Sequence, residues 1–88
     1  MVANEGYVVY VLHAEKFNKI YIGFTSDLKN RLLSHNLIAN KGWTTKYRPW
    51  NLIYSEEFND KPLALKREKQ LKSAKGRLFI RGLINSDI

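Results

Sequence analysis

Arg31 and His35 form the first pair in this sequence whose types and spacing could do chemistry on a phosphate. They lie four residues apart in a segment with helical periodicity, which places a fixed cation and a titratable imidazole one helical turn apart. A guanidinium can hold phosphate oxygens while an imidazole moves a proton. Taken alone, an arginine at a helix border is usually solvated and a single histidine is usually structural. The pair therefore needs further residues before it indicates a site.

Glu68 is the second candidate, because it falls on the inner face of a predicted helix. With Ala64 as the reference on the helical wheel, Leu71 lies at roughly 340° and Glu68 at roughly 40°. An inward carboxylate needs a partner, which could be a metal ion, an arginine or a hydrogen-bonded water. The structural alternative is an ion pair with Lys72, one turn further along the helix.

Tyr10 and Tyr21 lie in two predicted strands, where a tyrosine belongs to the core more often than to a catalytic site. The ordinary pKa of a phenol is about 10, so a catalytic tyrosine that acts as a base needs nearby cations to stabilise its phenolate.

The segment from Asn40 to Trp50 has no strand or helix period and mixes cations with aromatic rings. Its candidate nucleic-acid contacts are Lys41, Trp43, Lys46, Tyr47 and Arg48. Cations can follow a phosphate backbone while rings stack on bases, so we expect this loop to bind nucleic acid. The structural alternative is that Trp43 and Trp50 cover the core.

The elements that must position these side chains follow from hydrophobic patterning. Tyr7 to His13 and Lys19 to Phe24 read as two strands of an antiparallel hairpin, with Gly23 indicating a bulge or a close approach of backbone. Thr25, Ser26 and Asp27 can cap a helix from Leu28 to Ala39, with Leu28 and Leu32 on its core side. Leu52 to Phe58 predicts a third strand.

The C-terminal third predicts two helices. Asn59 or Asp60 can cap a helix that carries Pro62 in its first turn, and Gly76 is expected to end it. A short last helix from Arg77 to Ile84 should dock the apolar side chains of Leu78, Phe79, Leu83 and Ile84. The predicted order is β-β-α-β-α-α, an α+β (α/β sandwich) fold in which three helices flank a three-stranded antiparallel sheet, with residues 1–88 as a single domain.

Composition limits the function classes. Lysine and arginine number 15 against 8 acidic residues, which gives a net charge of +7 and a pI near 9.8, so a polyanion such as nucleic acid is the natural partner. Cysteine is absent, which excludes disulfides and thiolate zinc sites and fits a reducing cytoplasm. No apolar run approaches the ~18 residues of a membrane span, and the N-terminus does not read as a signal peptide.

Taken together, the candidate positions resemble the GIY-YIG nuclease family. Val8-Val9-Tyr10 and Tyr21-Ile22-Gly23, with ten residues between the two tyrosines, resemble the paired motif that names the family. Arg31 follows ten residues after Tyr21, and Glu68 lies within ALKREKQLK, which resembles the metal-binding glutamate segment. The stretch KGWTTKYRPWNLIYSEEF is similar to the small stand-alone bacterial members, which are related to the catalytic domain of an excision-repair nuclease.

The resemblance implies an endonuclease that hydrolyses phosphodiester bonds, with DNA and DNA repair as the expected setting. It implies that Glu68 binds one Mg²⁺ or Mn²⁺ ion and that Arg31 steadies the scissile phosphate. Tyr10 or Tyr21 would position or activate the attacking water, with His35 assisting. A metal and a guanidinium would together neutralise the charge that develops on the phosphate.

Three positions depart from the family pattern. Val8 stands where the motif has glycine, Phe24 stands where the repair nucleases carry a lysine, and no asparagine matches the one that some members bring from the C-terminal side. A valine is tolerable in a strand, but the missing lysine and asparagine favour an alternative, a nucleic-acid-binding module that keeps the fold with weak or absent cleavage. A third hypothesis is an interaction domain whose basic face meets an acidic surface. The sequence indicates neither the preferred nucleic-acid structure nor the oligomeric state, and a protein partner could supply targeting.

Overall fold

A three-stranded antiparallel sheet forms the centre of the fold. The computed structural model describes residues 6–38 and 42–85. The strands are β1 (Tyr7–Ala14), β2 (Lys19–Thr25) and β3 (Asn51–Phe58), in the spatial order β2-β1-β3. Both neighbours pair antiparallel with β1, so the predicted hairpin and third strand are confirmed.

Three α-helices complete the predicted order β-β-α-β-α-α. They are α1 (Leu28–Leu33), α2 (Lys61–Lys72) and α3 (Ala74–Asn85). Two short 3₁₀-helices, Glu15–Phe17 and Trp43–Tyr47, lie in the hairpin turn and in the loop before β3, and a π-helical segment, Ser34–Ile38, follows α1. The α+β fold class is confirmed.

The central strand is buried on both sides, and alternate residues feed two separate cores. One core, here called the aliphatic face, lies under α2 and α3 and contains Val9, Val11, Ile22, Ala64, Leu71 and Ile80. The other, here called the aromatic face, lies under α1 and the loop before β3 and contains Tyr10, Leu12, Ala14 and Trp50. Because strand side chains alternate, the tyrosine of the first motif is directed away from α2 and α3.

The helix predicted over Leu28 to Ala39 is only partly α-helical. Asp27 caps it, as its side chain accepts a hydrogen bond from the backbone N–H of Asn30 at 3.2 Å. Leu28 and Leu32 pack against the aromatic face as predicted. The geometry changes to π-helical at Ser34, and Ala39 lies outside the described residues.

Ser73, and not Gly76, ends α2, so that expectation is wrong. The hydroxyl of Ser73 donates to the carbonyl of Gln70 at 2.6 Å and accepts from the N–H of Gly76 at 3.2 Å. Gly76 lies inside α3, where a Cβ would stand 2.3 Å from the Gln70 carbonyl oxygen. The glycine is needed there because the first turn of α3 presses against the last turn of α2.

The last helix begins three residues earlier than predicted, and this changes the side chains that it buries. Leu78 is 73% exposed and is not the docking residue that the pattern suggested, whereas Phe79 is 42% exposed and contacts Tyr54 edge-on at 5.5 Å. Ile80 is fully buried, and Ile84 packs partly buried beside it. Within the described part of the chain, no helix has the length and apolar character that crossing a bilayer requires.

Candidate active site

The aromatic face brings Tyr10, Tyr21 and His35 together from three separate segments. The ring centroids of Tyr21 and His35 lie 4.6 Å apart, and Tyr10 lies 6.1 Å from Tyr21 and 6.0 Å from His35. Gly23, opposite Tyr10 in the β1–β2 register, leaves the space that this packing needs. A Cβ at Gly23 would stand 2.8 Å from the Tyr10 hydroxyl and 3.0 Å from the edge of the Tyr21 ring. The close approach that the sequence indicated at Gly23 is therefore that of two tyrosine side chains.

His35 is buried and has a hydrogen-bond partner at each ring nitrogen. Its Nε2 lies 3.1 Å from the hydroxyl of Tyr10, and its Nδ1 lies 3.1 Å from the hydroxyl of Thr44. Whichever nitrogen carries the proton, the other can accept from a hydroxyl, so a neutral imidazole satisfies both contacts. The π-helical segment, a geometry often found at functional sites, places His35 between β1 and the loop.

The electrostatics of this cluster keep both of its buried groups neutral. Burial raises the pKa of Tyr10 well above the ordinary range, Tyr21 adds to the rise, and the nearby Arg31 guanidinium only partly opposes it. Burial lowers the pKa of His35, and the charges of Arg31 and Arg48 lower it further. At neutral pH the pair is therefore a phenol and a neutral imidazole.

Trp50 holds the loop onto the aromatic face, as the structural alternative for the tryptophans expected. It is 3% exposed, and its indole N–H donates to the carbonyl of Thr44 at 2.7 Å. The amide side chain of Asn36 accepts from the Trp50 N–H at 2.7 Å and donates to the Trp50 carbonyl at 3.0 Å. Trp43 differs, because it is 46% exposed.

Among the predicted nucleic-acid contacts of the loop, Arg48 binds within the fold, whereas Lys46 and Tyr47 are at least partly open to solvent. The Arg48 guanidinium donates to the main-chain carbonyls of His35 at 2.6 Å and Ser34 at 3.2 Å, so it supports the π-helical segment. Lys46 is exposed, and Tyr47 is half-buried. Lys41 lies outside the described residues.

Arg31 lies at the solvent side of the cluster. It lines an open groove of about 540 Å³ together with Phe24 from β2 and Lys61 from the start of α2. Its charge acts on the pKa of both Tyr10 and His35, which places the guanidinium beside the buried pair. Arg31 is therefore the residue that links the cationic groove to the buried tyrosine and histidine.

Glu68 belongs to a different element from these rings. It lies on α2, whose buried residues Ala64 and Leu71 pack on the aliphatic face. Its side chain is 17% exposed and forms the ion pair with Lys72 that the sequence offered as the structural alternative, with Nζ and Oε2 3.2 Å apart. The Lys72 side chain is 49% exposed, so water can replace this ion pair at small cost.

The residues present fit a divalent metal at Glu68 only if a single protein carboxylate holds the ion. Among residues 6–38 and 42–85, no three carboxylate, imidazole or thiol side chains group as a metal site. A single carboxylate of low exposure is a hard oxygen ligand for a Mg²⁺ or Mn²⁺ ion that keeps several waters and takes its other ligands from a phosphate. An all-protein metal cage does not fit the described residues.

Sequence reasoning missed Thr44, Asn36 and Lys61. Thr44 and Asn36 carry no motif, because their role depends on a loop whose path the sequence does not predict. Lys61 follows a capping aspartate and reads as a solvated residue of a first helical turn. Phe24 was the available signal for Lys61. Because Phe24 stands where related nucleases carry a lysine, a replacement cation could have been sought in another element.

Comparison with known proteins identifies the family. The family model for the GIY-YIG catalytic domain matches residues 6–81. A UPF0213 protein of Limosilactobacillus reuteri is 40% identical over 72 residues, which are 80% of this chain and 74% of that protein. A UPF0213 protein of Streptococcus pyogenes serotype M5 is 39% identical over 79 residues, covering 88% and 82% of the two chains.

A solved structure supports the fold. The solution NMR structure of a UPF0213 protein from Bacillus halodurans aligns with a TM-score of 0.53 at 24% identity, covering 89% of this chain and 84% of that one. With the match over residues 6–81 and the close relatives, the conclusion is that the chain belongs to the GIY-YIG family, whose domain is a nuclease-type fold.

Proposed function

We propose that this protein is a metal-dependent endonuclease that hydrolyses phosphodiester bonds in nucleic acid, with DNA as the expected substrate. The observation that carries the proposal is the assembly of Arg31 beside the buried Tyr10–His35 pair and the half-buried Tyr21 ring. These residues come from β1, β2, α1 and the π-helical segment, so their meeting is a product of the fold. The net charge of +7 suits a polyanionic substrate.

Arg31 is the phosphate-binding residue in this proposal. Its guanidinium is exposed in the groove and can make two parallel hydrogen bonds to phosphate oxygens. A fixed cation at that place stabilises the negative charge that grows on the phosphate in the transition state.

The two tyrosines take different roles. Tyr10 is fully buried and its raised pKa keeps it protonated, so it is a positioning residue that fixes the imidazole of His35. Tyr21 is half-buried, with its ring tilted against that imidazole at a centroid distance of 4.6 Å, so it is the tyrosine whose hydroxyl can orient an attacking water. The neutral His35, whose two ring nitrogens are held by the hydroxyls of Tyr10 and Thr44, packs against the Tyr21 ring and assists by keeping that ring in place.

Glu68 would hold the divalent metal. When bound, Mg²⁺ or Mn²⁺ supplies charge neutralisation for the phosphate and its leaving oxygen. The half-exposed Lys72 side chain would turn away from the Glu68 carboxylate, which frees Oε2 for a ligand role at the small cost of an exposed ion pair.

Lys61 would supply the cation that Phe24 does not. It lines the same groove as Arg31, and it comes from α2 instead of β2. A lysine ammonium is a point charge, so it suits general attraction of a phosphate more than precise orientation.

Cleavage of a panel of end-labelled nucleic acids tests the proposed function. Single-stranded, duplex, nicked and branched DNA and a single-stranded RNA are incubated with Mg²⁺, Mn²⁺ or EDTA, and the expected result is cutting that requires metal. Lys61→Met should slow the cut, while Lys66→Met, an exposed lysine on the same helix, should not. Equal rates in EDTA would contradict metal dependence.

A second candidate function, binding without cleavage, is favoured by one observation. Glu68 is paired with Lys72, which is what a structural glutamate would do. This candidate predicts salt-dependent binding to the same panel with no product at any metal concentration.

A further inference from the structure

Three aromatic side chains form a surface beside the candidate active site, here called the ring platform. They are Phe17 from the hairpin turn and Trp43 and Tyr47 from the 3₁₀-helix before β3. The ring of Tyr47 lies 5.4 Å from Phe17 and 5.1 Å from Trp43, so it joins two segments that are far apart in the sequence.

The ring platform exposes side chains that could have been buried. Phe17 is 44% exposed and Trp43 is 46% exposed, and exposing two large rings that both contact Tyr47 forgoes hydrophobic stabilisation. Trp43 also packs 5.7 Å from the buried Trp50, which holds its position. Two exposed rings on a supported base make a surface that is ready for flat, apolar groups to stack on.

The charge around the ring platform suits phosphates. Lys16 lies 5.9 Å from the ring centre of Phe17, Lys19 lies 5.4 Å from that of Tyr47, and Lys46 belongs to the same 3₁₀-helix as Trp43. Glu15 is the acidic residue of the same turn. Lysines beside exposed rings are the combination that binds single-stranded nucleic acid, because bases stack on the rings while the backbone meets the cations.

The ring platform is continuous with the candidate active site. Trp43 lies 6.4 Å from Tyr21, and Tyr21 lies 4.6 Å from His35. A strand whose bases stack on Phe17 and Trp43 would therefore bring a neighbouring phosphate to the residues proposed to cleave it. Paired bases keep their faces inside the helical stack, so a duplex cannot use the rings in this way.

We propose that the ring platform binds unpaired nucleotides, and that the substrate is single-stranded nucleic acid or a structure with a single-stranded flank next to the cut. The statement about the substrate rests on the proposed nuclease function, whereas the binding of unpaired nucleotides is tested by binding measurements alone. An acidic peptide could also meet these lysines, but it would not stack rings over Phe17 and Trp43. The stacking is therefore the property to measure.

Fluorescence anisotropy in EDTA is the first measurement. A fluorescein-labelled oligothymidylate of about 12 nucleotides is compared with a duplex of equal length for the parent, Phe17→Ala and Trp43→Ala. We expect the parent to prefer the single strand, and each substitution to weaken single-strand binding about tenfold while duplex binding changes less than about twofold. Phe79→Ala is the matched control, because that ring is 42% exposed and packs on Tyr54 at the aliphatic face.

Tryptophan emission gives a second readout that does not depend on a substitution to alanine. The chain has 2 tryptophans, and Trp50 is 3% exposed. Unlabelled oligothymidylate should therefore quench the parent through Trp43 and should leave Trp43→Phe almost unquenched. If Trp43→Ala does not fold, as judged by thermal melting, Phe17→Ala and the quenching carry the test.

The outcomes separate this proposal from the nuclease proposal. Equal affinity of the parent for the two DNA forms, or an equal loss on both forms in Phe17→Ala, would overturn the ring platform. An acidic peptide that displaces the duplex and the single strand equally well, with no quenching of Trp43 by oligothymidylate, would overturn it in favour of a protein partner. A parent that prefers the single strand but cuts nothing would overturn the nuclease proposal alone.

Discussion

The aliphatic and aromatic faces are built from alternate residues of the same central strand, yet different interactions stabilise them. On the aliphatic face, Val9 and Val11 meet Leu71 and Ile80, so stability there comes from apolar area removed from water. On the aromatic face, Tyr10 and Trp50 carry a hydroxyl and an indole N–H that must find partners when they are buried.

The polar partners make the aromatic face specific. The main-chain carbonyl of Thr44 accepts a hydrogen bond from the indole N–H of Trp50, and the Thr44 hydroxyl is hydrogen-bonded to Nδ1 of His35. Within the described residues, no buried side-chain nitrogen or oxygen is left without a partner. A core of this kind depends on each hydrogen bond, whereas the aliphatic face depends mainly on volume. The aliphatic face therefore mainly stabilises the fold and seats α2, while the packing of the aromatic face places Tyr10, Tyr21 and His35.

The largest effect on stability is expected on the aliphatic face. Leu71→Ala removes a side chain that is 1% exposed and should lower the free energy of unfolding by about 2–5 kcal/mol. Leu78→Ala, at a residue that is 73% exposed, should change it by less than about 0.5 kcal/mol. Urea denaturation measures both. Equal losses of stability in the two variants would contradict the stabilising role of the aliphatic face.

Arg31 should show the opposite behaviour, with a large effect on cleavage and a small one on stability. Arg31→Lys keeps the charge but loses the planar two-point contact with phosphate, so cleavage should fall by roughly 10² while affinity changes by less than about tenfold. Single-turnover rates and anisotropy titrations give the two numbers. Lys29→Met, an exposed cation on the same helix, is the control. Full activity in Arg31→Lys would mean that a point charge is sufficient.

Gly23 tests how closely the aromatic face is packed. Gly23→Ala would place a Cβ 2.8 Å from the Tyr10 hydroxyl, and the resulting overpacking should destabilise the protein by about 1–3 kcal/mol. Gly82→Ala is the matched control in α3, because its Cβ would meet nothing within 4 Å, and it should be neutral or stabilising by up to about 1 kcal/mol. Thermal melting compares them. Equal melting temperatures would show that the tyrosines adjust freely.

His35 should give the aromatic face a pH dependence that the aliphatic face lacks. Its pKa in the folded protein is lowered, so below the unfolded value of about 6.5 the unfolded chain binds the proton more readily. The free energy of unfolding should therefore fall as pH drops from about 6.5, by at most about 1.4 kcal/mol per pH unit for one proton. His35→Gln should flatten this dependence between about pH 6.5 and pH 5. An unchanged slope would mean that the imidazole is protonated in the fold.

The elements that burial dictates could be predicted from the sequence, and those that local contacts dictate could not. Tyr7 to Leu12 is aliphatic or aromatic throughout because β1 is covered on both sides, and such a run predicts a strand. The end of α2 depends on the hydrogen bonds of one serine, and Gly76 misled the prediction because it serves a helix contact. The π-helical segment depends on Arg48, a residue of the loop, which donates to the main-chain carbonyls of Ser34 and His35. No period in the sequence reveals this contact.

The candidate site divides in the same way. The motif spacing was enough to expect Tyr10, Tyr21, Arg31 and His35 near one another, and the structure places them so. The motif could not indicate that Tyr10 is sealed from solvent, because that depends on Gly23 and on the path of the loop. The sequence left Glu68 open as a metal ligand or as an ion-pair partner of Lys72. The structure shows the ion pair, and the metal role is a proposal.

Single-turnover cleavage by Glu68→Gln across a Mn²⁺ titration, with Lys72→Met as the matched control, tests the central claim most directly. If Glu68 holds the metal, Glu68→Gln should fold, bind nucleic acid and fail to cut at any Mn²⁺ concentration, because the neutral amide loses the charge that binds the ion. Lys72→Met, which breaks the same ion pair from the other side, should cut at least as fast as the parent. Cleavage by Glu68→Gln at the parent rate, or an equal loss in both variants, would contradict the metal role and leave Glu68 as a structural partner of Lys72.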